Sequence, residues 1–307
     1  MALAFVSMSR FFFFGVVAVG VFVGIQLVFF KEQVRETLMI DYPVSEKSVF
    51  VVPLKPEETS MTFDQRKNVD IAVDQIIGGV VPHHLIAGDF LAEFFTLLQK
   101  RSVPPEVILL LAPNHFESGV ADIQTANFVW QTAFGDVETD ENVLAIVQKG
   151  GAVIQPDTFG QEHGIYNILP YIAHFLPGAK IVPIVFRQEV STDQIESFVA
   201  SMTPLVQEKK VVVVSSVDFS HYLSKEEAEG KDQETLAAIK KFDLTQIAQY
   251  ESDHLDSPSA LITLLRIGQV LESTKINVLE HGNSADAIRG RNQSTTSHFT
   301  FFLSKSQ

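Results

Sequence analysis

The chain has 307 residues, 46% of them hydrophobic and 20% charged, enough for one large domain or two small ones around a sizeable core. Its formal net charge of -14 argues against a broad nucleic-acid surface, which needs clustered Lys and Arg. It has no cysteine, so disulfides, thiolate metal sites and a thiol nucleophile are excluded, and any metal must be held by His, Asp, Glu or water.

In chain order, residues 1–10 read as a short tail and 11–30 as an apolar run, FFFFGVVAVGVFVGIQLVFF, in which only Gln26 is polar. About 20 such residues span a ~30 Å hydrocarbon layer as a helix. No small-residue cleavage site follows, which favours an uncleaved transmembrane anchor over a signal peptide. The expectation is a single-pass membrane protein with its C-terminal domain outside the cytoplasm. Residues 31–63 carry scattered charge and three prolines and read as a linker with a short strand from Ser48 to Val52.

The body, 64–307, alternates between two periodicities. Helical patterns cover Arg66 to Ile76, Leu91 to Lys100, Asn142 to Lys149, His163 to Phe175, Asp193 to Gln207, Glu226 to Lys241 and Pro258 to Gly268. Apolar, β-branched runs predict strands at Ile77–Val81, Glu106–Ala112, Lys180–Phe186 and Lys210–Ser216, with a final pair at Ile276–Leu279 and His298–Leu303. This alternation predicts a three-layer α/β fold: a central mixed, mainly parallel sheet flanked by helices. No glycine-rich phosphate loop is present.

Open α/β sheets bind ligands outside the carboxyl ends of their strands. Histidines stand there: His83 and His84 after the first core strand, His115 after the second, and His221 after the run ending at Ser216. His163 opens a helix, and His254 and His281 fall near later element ends. Imidazole is the commonest metal ligand and the natural acid or base near neutral pH. The carboxylates of Glu162, Asp218, Asp253 and Asp256 are placed to ligate or to orient imidazoles. A serine hydrolase built on Ser215, Ser216 or Ser220 is the competing chemistry, but the GxSxG elbow is missing.

Several of these segments, taken in order, resemble the Memo-like family, also called AmmeMemoRadiSam system protein B. They are VVPHHLIAG (80–88), LLAPNHF (110–116), QEHGIYNILPYI (161–172), SSVDFSHY (215–222) and HGNSAD (281–286). The resemblance implies the fold of the class III extradiol dioxygenases. It also implies a divalent metal, iron or copper with zinc also compatible, held by His83 and His115. His254 matches the position of a third ligand that is cysteine in other members, and Asp256 is its rival. His221 corresponds to the catalytic acid/base position with Asp218 as its partner, and Glu162 and His163 match a pair lining the same pocket. His84, Leu85, Phe116, Gly164 and Tyr166 depart from the family pattern.

Three functions follow as expectations. One is a metal-dependent, dioxygenase-like oxidoreductase. The second is a non-catalytic module binding peptide, metal or a partner protein in the same pocket. The third is a zinc hydrolase. The family name further implies radical-SAM and AMMECR-type proteins as partners.

Overall fold

The strand β3 (Val107–Pro113) shows how the fold is built. Val107, Leu109 and Leu111 join one hydrophobic cluster, and Ile108, Leu110 and Ala112 join another, so the strand is buried on both faces. Side chains alternate across a strand, and a continuous apolar run therefore needs cover on each side. The structure is a computed structural model that describes residues 47–61, 71–208, 210–288 and 294–305. Val44–Gln307 forms one compact unit.

The elements run as follows: β1 (Ser48–Val51), β2 (Ile76–Val81), α1 (Gly88–Gln99), β3, β4 (Ile123–Thr125), β5 (Phe128–Thr132), β6 (Gly135–Glu138), α2 (Glu141–Lys149) and β7 (Val153–Ile154). Then come α3 (His163–Tyr166), α4 (Leu169–Phe175), β8 (Lys180–Phe186), α5 (Thr192–Gln207), β9 (Val211–Ser216), β10 (His221–Leu223) and α6 (Lys225–Lys241). The chain closes with α7 (Leu244–Ile247), α8 (Pro258–Val270), β11 (Lys275–Asn283), α9 (Ser284–Ala287) and β12 (Thr295–Ser304). Residues 66–70 of the helix expected at Arg66 to Ile76 lie outside the described residues. Its remainder is a 3-10 turn, Val73–Gln75, leading into β2.

Among the described residues the main sheet has nine strands in the order β10-β12-β2-β9-β3-β8-β4-β7, with β11 also on β12. It is mixed: β2, β9, β3 and β8 are mutually parallel, while β10, β11 and β12 join through antiparallel pairs and β4 runs against β8. One face is covered by α2, α5 and α8 through Leu144, Phe198, Met202, Leu261 and Leu264. The other is covered by α1 and α4 through Leu91, Phe94, Phe95, Leu98 and Ile172. A small sheet, β1-β5-β6, adds Phe128 and Trp130 to this second core, and Phe50 packs against both rings. Gly79 permits close approach in β2, because a Cβ there would stand 2.4 Å from the Phe301 carbonyl oxygen and 2.7 Å from the Phe94 ring.

Two expectations need correction. The single helix expected from His163 to Phe175 is two, and Pro170 occupies the first turn of α4, where a missing N–H costs nothing. The assignment to a single-pass membrane location is overturned. Among the described residues no helix is long and apolar enough to cross a membrane. The longest, α6, has 17 residues and a run of charges, short of the roughly 20 apolar residues a span requires. The segment 11–30, read as the anchor, lies outside the described residues.

Candidate metal centre

The parallel strands end at one edge in register, with Val81 beside Ser216 and Pro113 beside Phe186. The next residues of each strand therefore meet above that edge, and they include His83, His115 and Asp218. Val217 N–H donates to the Val81 carbonyl at 2.9 Å, and Asn114 N–H to the Phe186 carbonyl at 2.8 Å, so the ladder fixes where these loops start. His163 arrives from the other direction, at the head of α3.

Three imidazoles converge. His83, His115 and His163 each offer a ring nitrogen within 4.8 Å of the others. The rings of His115 and His163 stack at 4.1 Å, and His83 stands edge-on to them at 4.9 and 5.1 Å. Each of the first two rings is held at its far nitrogen. Nδ1 of His83 faces the Ser216 hydroxyl at 3.2 Å, and Ser216 in turn donates to the Gly164 carbonyl at 2.6 Å. Nδ1 of His115 faces Glu162 Oε1 at 2.7 Å. Glu162 is fully buried, caps α3 by accepting from Gly164 N–H, and accepts from His115 N–H through Oε2. One carboxylate thus sets both the backbone and the ring of His115.

The Nε2 atoms of His83 and His115 both turn towards Asp256 Oδ2, at 3.2 and 3.7 Å. Asp256 precedes Ser257, which caps the long helix α8, and Asp256 N–H donates to the Asp218 carbonyl at 3.1 Å. Its Oδ1 is buried without a hydrogen-bond partner among the described residues. Imidazoles anchored at Nδ1, with Nε2 and a carboxylate oxygen facing one point, form the donor set expected of a transition-metal site with its orienting partners. The three imidazoles could hold a metal ion.

Charge is redistributed accordingly. Burial works against the His115 imidazolium, but Asp256 and Glu162 outweigh it and raise its pKa to about 10. Burial also opposes charge on His83, where Asp218 and Asp256 prevail and the pKa is raised. His163 goes the other way, lowered to about 4 by burial and by the neighbouring His83 and His115. Burial opposes ionisation of Asp218, yet His83 and His298 hold its carboxyl well below the usual carboxylate range.

Asp218 accepts from His83 N–H at 3.1 Å and contacts His298 at 3.4 Å. It lies in a loop, so its spacing to His221 is not that of a helical turn. His221 opens β10, is pinned by its N–H to the Ser252 carbonyl, and has a buried Nδ1 without a hydrogen-bond partner among the described residues. His221, His115 and Asp256 line one cleft of about 880 Å³, with Tyr222, Tyr250 and Arg187. His254 is not brought to the centre: its ring nitrogens face Asp253 at 2.7 Å and Glu234 at 3.2 Å, and it stacks on Tyr250. The serines do not form a triad with His221 either, since Ser220 donates to Asp232 at 2.7 Å and Ser216 is committed to Gly164. Asn167, which donates to the His83 carbonyl, and His298 are not singled out by the sequence, and Ser216 is there a candidate nucleophile, not the partner of His83.

Fold and site together define an α/β protein with an imidazole-rich, metal-capable centre on the carboxyl edge of a mixed sheet. The chain belongs to the Memo-like protein family, whose profile matches residues 56–301. It is similar to a MEMO1 family protein of Pyrobaculum arsenaticum, 27% identical, covering 69% of this chain and 78% of that protein. Another, from Methanococcoides burtonii, is 28% identical over 71% of this chain and 83% of its own. An uncharacterized protein from Escherichia coli K12 has a crystal structure matching 74% of this chain and 98% of its own, with a TM-score of 0.50 and 11% identity, a likeness of fold alone.

Proposed function

We propose that this protein is a metal-dependent, dioxygenase-like oxidoreductase acting on a small organic substrate in the cleft beside His115, Asp256 and His221. The observation that carries the reading is the convergence of three imidazoles, two of them facing Asp256, with His115 and Asp256 lining an open cleft. His83, His115 and His163 would hold the ion, with Asp256 as the carboxylate ligand. Iron or copper in that set would supply Lewis acidity and one-electron chemistry towards oxygen.

The protein's own groups have separable tasks. Glu162 and Ser216 lock the ring orientations, so that the Nε2 atoms point inward before any ligand arrives. His221 lines the cleft and is the proton acceptor or donor for bound substrate. Asp218 stays ionised beside His83 and ties the β9 loop to the Asp256 loop. Tyr222 and Tyr250 present ring surface to whatever occupies the cleft.

The test is oxygen uptake by iron- or copper-loaded protein across a panel of small phenolic and catecholic compounds. Turnover abolished by His115→Ala and reduced at least about a hundredfold by His221→Gln supports the enzyme. Tight metal binding without uptake by any loaded form would instead identify a binding module, and turnover with zinc alone on ester or amide substrates a hydrolase.

A further inference from the structure

His298 is the anomaly of the fold. It is 3% exposed, and among the described residues neither ring nitrogen has a hydrogen-bond partner. Buried polar groups are almost always paired, and an unpaired one is costly. A strand interior gives no reason for the choice, since β12 otherwise places Thr300 and Phe302 on the same face. Two groups face the ring. Asp218 Oδ1 stands 3.4 Å from His298 Nδ1, at ion-pair distance. His84 lies over the ring at 5.6 Å between centroids with only 27° between the planes. Asp218 is shared: its other oxygen, Oδ2, is 3.6 Å from His83 Nε2. A carboxylate with one oxygen towards each of two imidazole groups has the disposition of a bridge between two ions.

We infer that His84, His298 and Asp218 form a second transition-metal site beside the first, with Asp218 bridging the two ions. This rests on the metal-centre reading above and adds a second ion to it. Two imidazoles and a carboxylate suit a borderline ion such as zinc, copper or nickel. An ion there satisfies the nitrogens that the fold leaves unpaired. The site is more open than the first: among the described residues only His83, His115 and His163 bring their donor atoms within 4.8 Å of one another, so His84, the outer ring, must swing in to close the second site. The second ion therefore binds more weakly and leaves first.

The experiment is equilibrium dialysis of the full chain against Zn2+ in graded metal buffers, with bound zinc counted by mass spectrometry. Wild type takes up two ions in two steps. The His84→Asn and His298→Gln variants lose the weaker step and keep the tighter one, whereas His115→Ala loses the tighter. His84 is the outer ring and its replacement leaves the core intact, so the test does not depend on the buried variant folding. One ion in wild type, removed by His115→Ala and untouched by His84→Asn, overturns the second site and leaves the first standing. Two ions with neither step altered by His84→Asn or His298→Gln also overturns it. No bound zinc in wild type removes both readings.

Discussion

Proton competition at His115 gives the most quantitative prediction. Its pKa of about 10 means that the metal-free ring is an imidazolium at neutral pH, donating to Glu162 from Nδ1 and held by Asp256 at Nε2. A metal can take Nε2 only by expelling that proton. At pH 7 the proton is held by about three pH units, roughly 4 kcal/mol at 1.36 kcal/mol per unit, or about a thousandfold in affinity. His163, with its pKa near 4, is already neutral and releases nothing. His83, whose pKa is raised, can only steepen the dependence. The apparent affinity for Zn2+, measured by chelator competition, should therefore rise at least about tenfold per pH unit, or about a hundredfold from pH 6 to pH 8. Binding in weakly buffered solution should release at least one proton per tight ion. An affinity flat across that range, with no proton released, would refute both the charge state and the role of His115.

The same shift acts on stability in the metal-free protein. Because the folded pKa of His115 lies above 6.5, its stabilisation is complete below that value and is lost as pH rises through about 10. Urea midpoints of chelator-treated protein should fall between pH 6 and pH 9, and His115→Asn should flatten that slope. Glu162→Gln should weaken tight metal binding about 10–100-fold with only a modest loss of melting temperature, since a neutral amide orients the ring less firmly; unaltered competition curves would show that Glu162 does not position His115. Gly79→Ala should destabilise the protein by about 2 kcal/mol or more, because its methyl has no room between the Phe301 carbonyl and the Phe94 ring. A denaturation midpoint equal to wild type would contradict the packing described for β2.

The centre of the sheet was readable because β2, β3, β8 and β9 are buried on both faces and so carry unbroken apolar runs. The strands β4 to β7 left no such trace. β4 is three residues long, and its middle residue is a buried glutamine satisfied by the carbonyls of Ser118 and Ala121. His83 and His115 were legible because a histidine directly after a buried strand has little else to do. Asp256 could be named only as the rival of His254, because which of two neighbouring loop residues turns inward depends on the cap of α8 and on the hydrogen bond to Asp218. Ser216 read as a candidate nucleophile, because the Gly164 carbonyl that its hydroxyl meets comes from a distant part of the chain. His298 left a faint signal, a lone imidazole inside an alternating aromatic strand, whose meaning depends on Asp218 and His84 arriving from distant parts of the chain.

The account stands or falls on which imidazoles hold the tight ion. Chelator-competition affinities for Zn2+ should be compared for wild type, His115→Ala and His254→Ala at one pH. Loss of at least about a hundredfold for His115→Ala, with His254→Ala within a few-fold of wild type, is the predicted result. Equal losses in the two variants, or none in His115→Ala, would contradict the centre described above.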